Sequence, residues 1–261
     1  DIYVDTGTVD VSAAEIITEA AGGGTDRIRV DGDTDFTSVA SANNFDEIEE
    51  LQITGAYTAT FTGEQLSNET LSLMGAGGVQ ALVVTATVAS GTFLSGISAG
   101  EGWTPDSDTV TINGANGSSE NIVGTATNDM INGLSGNDDL TGGAGADTLN
   151  GGDGNDGFFY YSLADFIDNG AILDSVLGGN GTDRIRIFDT NAYTIDVADS
   201  WDRSRLIEVL EQGSNNANDI AITLGETAFT AGIRTITLEQ DADASGTNTV
   251  NAAIAAANQE L

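Results

Sequence analysis

Aspartates recur at every ninth residue in the middle of this chain. Counted in nines from Gly124, the sequence reads GTATNDMIN, GLSGNDDLT, GGAGADTLN and GGDGNDGFF. The sixth position is always an aspartate, namely Asp129, Asp138, Asp147 and Asp156. Carboxylates bind hard cations, and the glycines around them leave backbone carbonyls accessible as further oxygen ligands. The spacing therefore predicts a row of cation sites, although the composition alone is that of a flexible linker.

The same register predicts how the chain positions these carboxylates. The eighth position is always apolar, namely Ile131, Leu140, Leu149 and Phe158. Six glycine and small polar residues suit a turn, because glycine adopts positive φ without steric cost. Three residues then form a short strand whose apolar member points inward. We thus expect alternating turns and strands, with one carboxylate at each junction.

The composition of the whole chain excludes most catalytic chemistry. The 261 residues include 41 acidic residues and seven arginines, with no Lys, His or Cys, and the net charge is −34. Thiol nucleophiles, imidazole bases, disulfides and ordinary zinc sites are absent. The negative field repels nucleic acid and anionic membranes and attracts cations. The sequence predicts that the chain is not an enzyme and that it inserts into no membrane, since no apolar run is long enough.

The repeat block, residues 124–159, resembles the RTX (repeats-in-toxin) family of secreted bacterial proteins, whose calcium-binding motif is G-G-x-G-x-D-x-U-x. The resemblance implies a parallel β-roll in which two nonapeptides complete one coil. Turns two repeats apart would then stack, with Asp129 near Asp147 and Asp138 near Asp156. It also implies several bound Ca²⁺ ions. The carbonyl ligands carried over from the motif are those of Gly136, Gly143, Gly145, Gly152 and Gly154.

Two alternatives to a complete calcium array remain open. One is a turn array without metal, which the small inward residues support poorly against the backbone entropy. Mg²⁺ as the ion fits less well, since it demands a tighter octahedron. The first copy departs from the motif at Thr125 and Ala126, which predicts an incomplete site there.

The motif recurs outside the block and reveals a larger duplication. GGNGTDRIRI at 178–187 adds Asp183 and Gly181 as predicted calcium ligands, and AGGGTDRIRV at 21–30 adds Asp26. The segments after each also correspond, as do DIYV at the start and DGFFYY from Asp156. We predict a strand-rich body at 1–114, the RTX β-roll at 115–159 and a second, related body at 160–261. By this correspondence, Asp1 matches the last aspartate of a repeat block.

The two bodies are predicted to consist of β-strands. LQITG, YTATFT, ALVVTATV and TVTING are short runs with β-branched or alternating residues, separated by Gly, Asn and Ser. Helix-compatible stretches are few, and WDRSRLIEVLEQ aligns with FDEIEELQI, so we interpret it as a turn followed by a strand. The predicted fold class is all-β, a parallel β-roll or β-solenoid flanked by two related strand-rich bodies.

Two further groups of charged residues each allow two interpretations. Alternation places Ile28 and Ile185 inward, so the four arginines of the two DRIR segments point outward. They either balance neighbouring carboxylates or form a contact surface for the acidic face of another subunit. Asp106 and Asp108 form either a further cation site or, as we expect, a solvated turn.

The resemblance and the strand-rich bodies favour an extracellular or cell-surface structural protein of a bacterium. We expect calcium to drive folding after type I secretion, and copies of the chain to associate into a surface layer, filament or matrix. A polysaccharide of the cell surface is a further candidate partner. The alternatives are the C-terminal portion of a secreted RTX enzyme and a carbohydrate-binding adhesin.

Overall fold

The structure, a computed structural model, describes residues 2–5, 25–39, 45, 48–87, 91–168, 171–188, 193–195, 204–213, 220–224, 228, 232–237 and 249–252. Nearly all regular structure in these residues is β. The strands of the first half are β1 (Ile2–Asp5), β2 (Arg27–Val30), β3 (Thr34–Asp35), β4 (Glu50–Thr54), β5 (Thr58–Thr62), β6 (Leu71–Ala76), β7 (Ala81–Thr85), β8 (Thr92–Phe93), β9 (Ile97–Ala99), β10 (Thr109–Asn113), β11 (Asn121–Val123), β12 (Asp129–Ser135) and β13 (Asp139–Thr141).

The second half continues the same pattern of short strands. These are β14 (Thr148–Asp153), β15 (Gly157–Tyr160), β16 (Ile167–Asp168), β17 (Ala171–Ile172), β18 (Ser175–Asn180), β19 (Arg184–Ile187), β20 (Tyr193–Ile195), β21 (Ser204–Arg205), β22 (Val209–Gln212), β23 (Ile220–Leu224), β24 (Thr235–Thr237) and β25 (Thr249–Ala252). The helices have four residues each, α1 (Gly63–Leu66) and α2 (Leu163–Phe166). No helix in the described part of the chain has the length and apolar character needed to cross a membrane.

The strands stack as a parallel β-solenoid of about seven turns, which confirms the predicted fold class. An eight-stranded sheet has the order β21-β18-β14-β12-β10-β7-β5-β3, and a seven-stranded sheet the order β24-β22-β19-β15-β13-β11-β8. A five-stranded sheet, β1-β2-β4-β6-β9, and a three-stranded one, β20-β23-β25, are also parallel. From β10 to β15 the chain alternates between the two longest sheets, so each pair of strands forms one coil.

The register shows that two nonapeptides complete one coil. Ile131 pairs with Leu149 in one sheet, and Leu140 pairs with Phe158 in the other, a separation of 18 residues in each case. After the block, the coil lengthens by nine residues, since Leu149 pairs with Val176. The added length contains α2 and the antiparallel β16–β17 hairpin. The coil thus accepts an insertion without a change in strand register.

The core is a single stack of inward apolar residues. All four eighth-position side chains of the repeats are at most 1% exposed and belong to one hydrophobic cluster with the flanking bodies. Each such side chain contributes about 1.5–3 kcal/mol when fully buried. A single large apolar residue per repeat strand buries little apolar area. Glycine-rich turns lose much conformational entropy on folding, so they need another source of stability.

The structure supports the internal duplication. Ile2 pairs with Arg27 as Gly157 pairs with Arg184, and Arg27 then pairs with Glu50 as Arg184 pairs with Val209. Backbone contacts also match. The carbonyl of Asp26 accepts from the N–H groups of residues 49 and 50, and that of Asp183 from those of 208 and 209. The coils around the two GTDRIR segments therefore share their strand register and these backbone contacts.

Several elements predicted from the sequence can be compared with the structure. The segment from Trp201 does form strands, β21 and β22, in its described residues, so the interpretation as a turn and strand is confirmed over that part. The helix-compatible stretch 11–21 and most of the C-terminal one lie outside the described residues. The three-part division of the chain stays a prediction, and the eight-stranded sheet runs through both of its proposed boundaries.

Candidate metal centre

The repeat aspartates stack along the turns of the solenoid. Hydrogen bonds from a backbone N–H group of one coil to a carboxylate of the next coil connect them into ladders. The backbone N–H of Asp129 donates to Oδ1 of Asp147 at 2.8 Å, and that of Asp138 donates to Oδ1 of Asp156 at 2.9 Å. The stacking predicted for these two pairs is thus present. Each carboxylate therefore joins its own coil to the preceding one.

The ladders extend beyond the nonapeptides. Equivalent backbone-to-carboxylate bonds of 2.7–2.9 Å link Asp26 to Glu49, Gln80 to Asp108, Glu120 to Asp138, Asp147 to Asp174, Asp156 to Asp183 and Asp183 to Glu208. Sequence reasoning missed Glu49, Asp174 and Glu208. The sequence does contain a signal for these three residues. Each lies two residues before a buried apolar residue, as every repeat aspartate does.

The second carboxylate oxygen of four aspartates has no partner. Oδ2 of Asp138, Asp147, Asp156 and Asp183 is buried and accepts no hydrogen bond, and each of these residues is fully buried. A buried ionised carboxylate with an unsatisfied oxygen is costly unless a cation or a donor compensates it. The four oxygens are therefore the strongest candidates for metal ligands in the described structure.

The first-position glycines provide the space for these carboxylates. A Cβ on Gly133 would lie 2.7 Å from Oδ2 of Asp138, and one on Gly142, Gly151 or Gly178 would overlap the Oδ2 of its own repeat aspartate. The first glycine and the sixth-position aspartate of each repeat are thus one unit. A larger residue would displace the carboxylate from its position beside the backbone.

The other predicted glycines shape the turns themselves. Gly136, Gly143, Gly145, Gly152, Gly154 and Gly181 all have positive φ, between +107° and +149°. They stack with their carbonyls against the next coil. A Cβ on Gly154 would overlap the carbonyl oxygen of Gly136, and one on Gly181 the carbonyl oxygen of Gly154. Successive turns of the column therefore approach so closely that these positions have no room for a side chain.

The first repeat differs from the others, as its sequence predicts. Oδ2 of Asp129 accepts from the backbone N–H of Thr125 at 2.6 Å, and Oδ1 accepts from the Thr125 hydroxyl at 2.9 Å. The threonine at the second position thus satisfies both oxygens of this carboxylate. Asp174 is satisfied in a comparable way, because the Tyr160 hydroxyl donates to its Oδ2 at 2.8 Å.

The outlying predicted ligands, Asp183 and Asp26, lie at corresponding positions of the two bodies. Asp183 is fully buried, its Oδ2 is unsatisfied, and Gly181 has a φ of +138°. Asp26 is 4% exposed, and its N–H donates to Oε2 of Glu49 at 2.7 Å. Asp183 therefore shares the features of the repeat aspartates, whereas Asp26 shares only the ladder bond.

Burial raises the pKa of the repeat carboxyls above their usual value. The pKa of Asp147 rises from 3.8 to about 8, because it is removed from water and lies near the charges of Asp174 and Asp129. Burial also raises the pKa of Asp129 to about 7 and those of Asp138 and Asp183 to about 6. For Asp156 the direction is the same. Without a cation, this site favours protonated carboxyls.

The outward arginines have nearby carboxylates. Ile28 and Ile185 are buried as predicted, and Arg27 Nε donates to Glu50 Oε2 at 2.6 Å. Arg29 pairs with Asp31 at 2.9 Å. In the second body Glu211 lies 3.4 Å from Arg186 and 3.9 Å from Arg184. Local charge balance is therefore confirmed, and the contact surface stays a prediction.

The expectation of a solvated turn at Asp106 and Asp108 is wrong for Asp108. This residue is 2% exposed, and its two oxygens accept from the N–H groups of Gln80 and Thr104 at 2.8 and 2.6 Å. Asp106 is exposed. Asp108 thus belongs to the ladder, with both oxygens already satisfied by protein donors.

The oxygen atoms at these turns are of the kinds that bind calcium. They are carboxylate oxygens without partners and backbone carbonyls in close stacks, and Ca²⁺ takes six to eight such oxygens. No group of three or more acidic side chains converges on one point among the described residues. Backbone carbonyls would therefore have to supply much of the coordination.

Comparison with known families agrees with this geometry. Residues 123–158 match the RTX calcium-binding nonapeptide repeat, in four copies. The chain therefore carries RTX repeats of the kind that bind calcium, within a parallel β-solenoid. No curated protein and no solved structure matches the chain significantly.

Proposed function

We propose that this chain is an extracellular structural protein whose solenoid folds on binding calcium and then associates with other copies of itself. The observation that carries the proposal is the set of four buried carboxylate oxygens without partners, on Asp138, Asp147, Asp156 and Asp183. They lie where successive coils meet. A cation at these positions offsets the cost of burying the carboxylates and joins the coils at the same time.

Calcium binding and folding are coupled in this proposal. The unfolded chain has no preformed site, so the free energy of calcium binding becomes free energy of folding. RTX repeat proteins are typically secreted by bacteria. In a compartment poor in calcium, charge repulsion in a chain of net charge −34 keeps it extended and ready for export. Folding then takes place outside the cell.

The internal duplication supports self-association. Two related bodies are already joined within one chain by stacked parallel strands, in the sheet that runs from β3 to β21. A contact of this head-to-tail kind does not close on itself, and its repetition between chains would give an open filament or layer. Solenoid ends and sheet edges otherwise need caps or neighbours. The proposal assigns the chain no catalytic role.

Electron microscopy and light scattering of the purified chain test the proposal. Adding millimolar Ca²⁺ to the metal-free protein should produce sheets or filaments, and Mg²⁺ at the same concentration serves as the control. We expect assembly with Ca²⁺ only, because Mg²⁺ demands a tighter octahedron of ligands. A calcium-loaded protein that stays a dispersed monomer at all concentrations would refute self-association.

A further inference from the structure

The outward face of the seven-stranded sheet contains a groove beside the predicted calcium turns. Its volume is about 330 Å³, and its lining residues are Asn137, Asp139, Asn155, Gly157, Phe159, Arg184 and Arg186. In strand register, Asp139 pairs with Gly157, which pairs with Arg184. The acidic and the basic side chain are therefore two strands apart, about 10 Å, with only a glycine between them.

Gly157 keeps the groove open. A Cβ at this position would lie 2.6 Å from Cε2 of Phe159 and 3.0 Å from Oδ1 of Asp139. The Phe159 ring thus leans over the glycine and forms one wall. The groove lies between Asp139 and Arg184 because Gly157, the residue between them on β15, has no side chain.

An aromatic cluster continues from that wall. The rings of Phe159 and Phe188 are nearly parallel, with centroids 5.8 Å apart, and Tyr161 stacks on Phe188 at 5.3 Å. The Arg186 guanidinium lies over the Phe188 ring, 5.1 Å from its centroid. Tyr161 is 65% exposed. An exposed aromatic surface of this kind, beside hydrogen-bonding groups, is characteristic of a ligand site.

The polar groups of the groove offer both donors and acceptors. Asp139 accepts hydrogen bonds, the two arginines donate them, and Asn137 and Asn155 can do both. Arg184 and Arg186 share Glu211 as a nearby carboxylate, so the charges around the groove balance. The net charge of −34 repels anionic ligands. A ligand with many hydroxyl groups, an apolar face and no charge fits this combination.

The corresponding strands of the first body carry different residues at the central positions of the groove. By strand register, Ile2 takes the place of Gly157 and Val4 that of Phe159. Asp31 stands where the second body has Phe188, and it pairs with Arg29. The arginines are thus common to both bodies, whereas the glycine floor and the aromatic wall belong to the second one.

We propose that the groove between Asp139, Phe159 and Arg184 binds a neutral carbohydrate, with a sugar ring against Phe159 and its hydroxyls on Asp139, the asparagines and Arg184. The inference relies on the proposed calcium-dependent fold and is independent of self-association. Through this groove, the second body attaches the solenoid to a polysaccharide.

The full calcium-loaded chain can be screened against immobilised neutral oligosaccharides of glucose, galactose and mannose, with uronic acid and sulphated glycans as charged comparisons. Binding of the best glycan is then measured by titration calorimetry. We expect Phe159→Ala and Asp139→Asn each to weaken binding at least about tenfold, because a wall or an acceptor is lost. Gly157→Ile, which introduces the residue of the first body, should abolish binding by filling the groove.

The matched control is the double variant Arg27→Gln with Arg29→Gln, on the equivalent face of the first body. Its affinity for the glycan should stay within about twofold of the wild type, since these two arginines lie outside the groove. Circular dichroism in calcium reports folding of each variant separately, so a failed fold is distinguished from a failed site. Three results would overturn the inference: a folded protein that binds no neutral glycan, one that prefers acidic glycans, and one whose binding survives both Phe159→Ala and Gly157→Ile.

Discussion

Four of the stacked aspartates use their two carboxylate oxygens for different purposes. Oδ1 accepts the N–H of the preceding coil, and Oδ2 has no protein partner in Asp138, Asp147, Asp156 and Asp183. The first role needs only an acceptor, whereas the second needs a cation or a proton. Substitution by asparagine separates the two, because the amide keeps one acceptor and replaces the other oxygen with a donor.

Asp156→Asn and Asp129→Asn form a matched pair for calcium binding. We expect Asp156→Asn to lower the number of bound ions, since a ligand oxygen without another partner is lost. Asp129→Asn should leave the number unchanged, because Thr125 already satisfies that carboxylate. Native mass spectrometry counts the ions. An equal loss of ions in both variants would contradict the distinction between the two sites.

Acid should partly replace calcium. The folded-state pKa of Asp147 is about 8, and that of Asp129 about 7, against an ordinary value of 3.8. Protonation is therefore favoured in the fold, so this contribution to stability is fully present below about pH 4 and is lost as the pH rises towards 8. The metal-free chain should gain β structure on acidification from about pH 8 to about pH 5.

Circular dichroism in metal-free buffer measures this gain. Asp147→Asn should flatten the pH dependence, because the group with the most strongly raised pKa no longer titrates. Calcium affinity should fall over the same range, since protons and calcium compete for the same oxygens. A metal-free chain that loses β structure on acidification would show that the raised pKa values do not govern its stability.

The unit of construction is a turn with an acidic residue, followed two residues later by a buried apolar residue. It appears in the RTX repeats and also at Glu49, Asp108 and Glu208, where the coils have other lengths. A pair of nonapeptides, 18 residues long, is thus the shortest of these coils. In two of the longer coils a protein donor satisfies the second oxygen, namely Thr104 for Asp108 and Tyr160 for Asp174.

The stacked turns require glycine where adjacent coils approach closely, and substitution tests this requirement. Gly154→Ala should destabilise the calcium-loaded fold by more than about 2 kcal/mol, because a Cβ there meets the Gly136 carbonyl at a φ that alanine rarely adopts. Gly117→Ala is the control. It also has positive φ, +80°, but no atom lies within 4 Å of its Cβ.

The control should therefore cost only about 1 kcal/mol of backbone strain. Thermal or urea unfolding in excess calcium gives both values. Equal destabilisation in the two variants would mean that the close approach of adjacent turns does not matter for stability.

At the scale of the whole molecule, calcium is expected to act as the folding switch. Each repeat contributes a single eighth-position apolar side chain to the core, and the net charge of −34 opposes compaction. Removing calcium with EGTA at about pH 8 should abolish most of the β spectrum, since binding free energy is folding free energy here. Readdition should restore it.

Screening by salt is the appropriate comparison for this experiment. Sodium chloride weakens the repulsion between exposed charges but supplies no ligand bonds to buried oxygens. It should therefore compact the metal-free chain without restoring its β spectrum. An unchanged β spectrum in EGTA would refute the switch.

The sequence by itself determined the repeat length, the aspartate positions and the inward residues, because these follow from local periodicity. It also determined the absence of thiol and imidazole chemistry, and it indicated the duplication through GTDRIR. Inward Ile28 and Ile185 followed from alternation alone. These features depend on neighbours within about ten residues, which a single sequence displays directly.

Only the tertiary structure decided which carboxylates lack a partner. The sequence marks the first repeat by its departures at Thr125 and Ala126, yet only the structure shows that Thr125 satisfies Asp129 and that Oδ2 of Asp147 is left unsatisfied. Asp108 reads as a surface turn but is buried beneath Gln80. The groove over Gly157 likewise needs three strands from distant parts of the chain. Contacts across coils fix the burial of Asp108 and the shape of the groove, and the partners of these contacts are 18 or more residues apart.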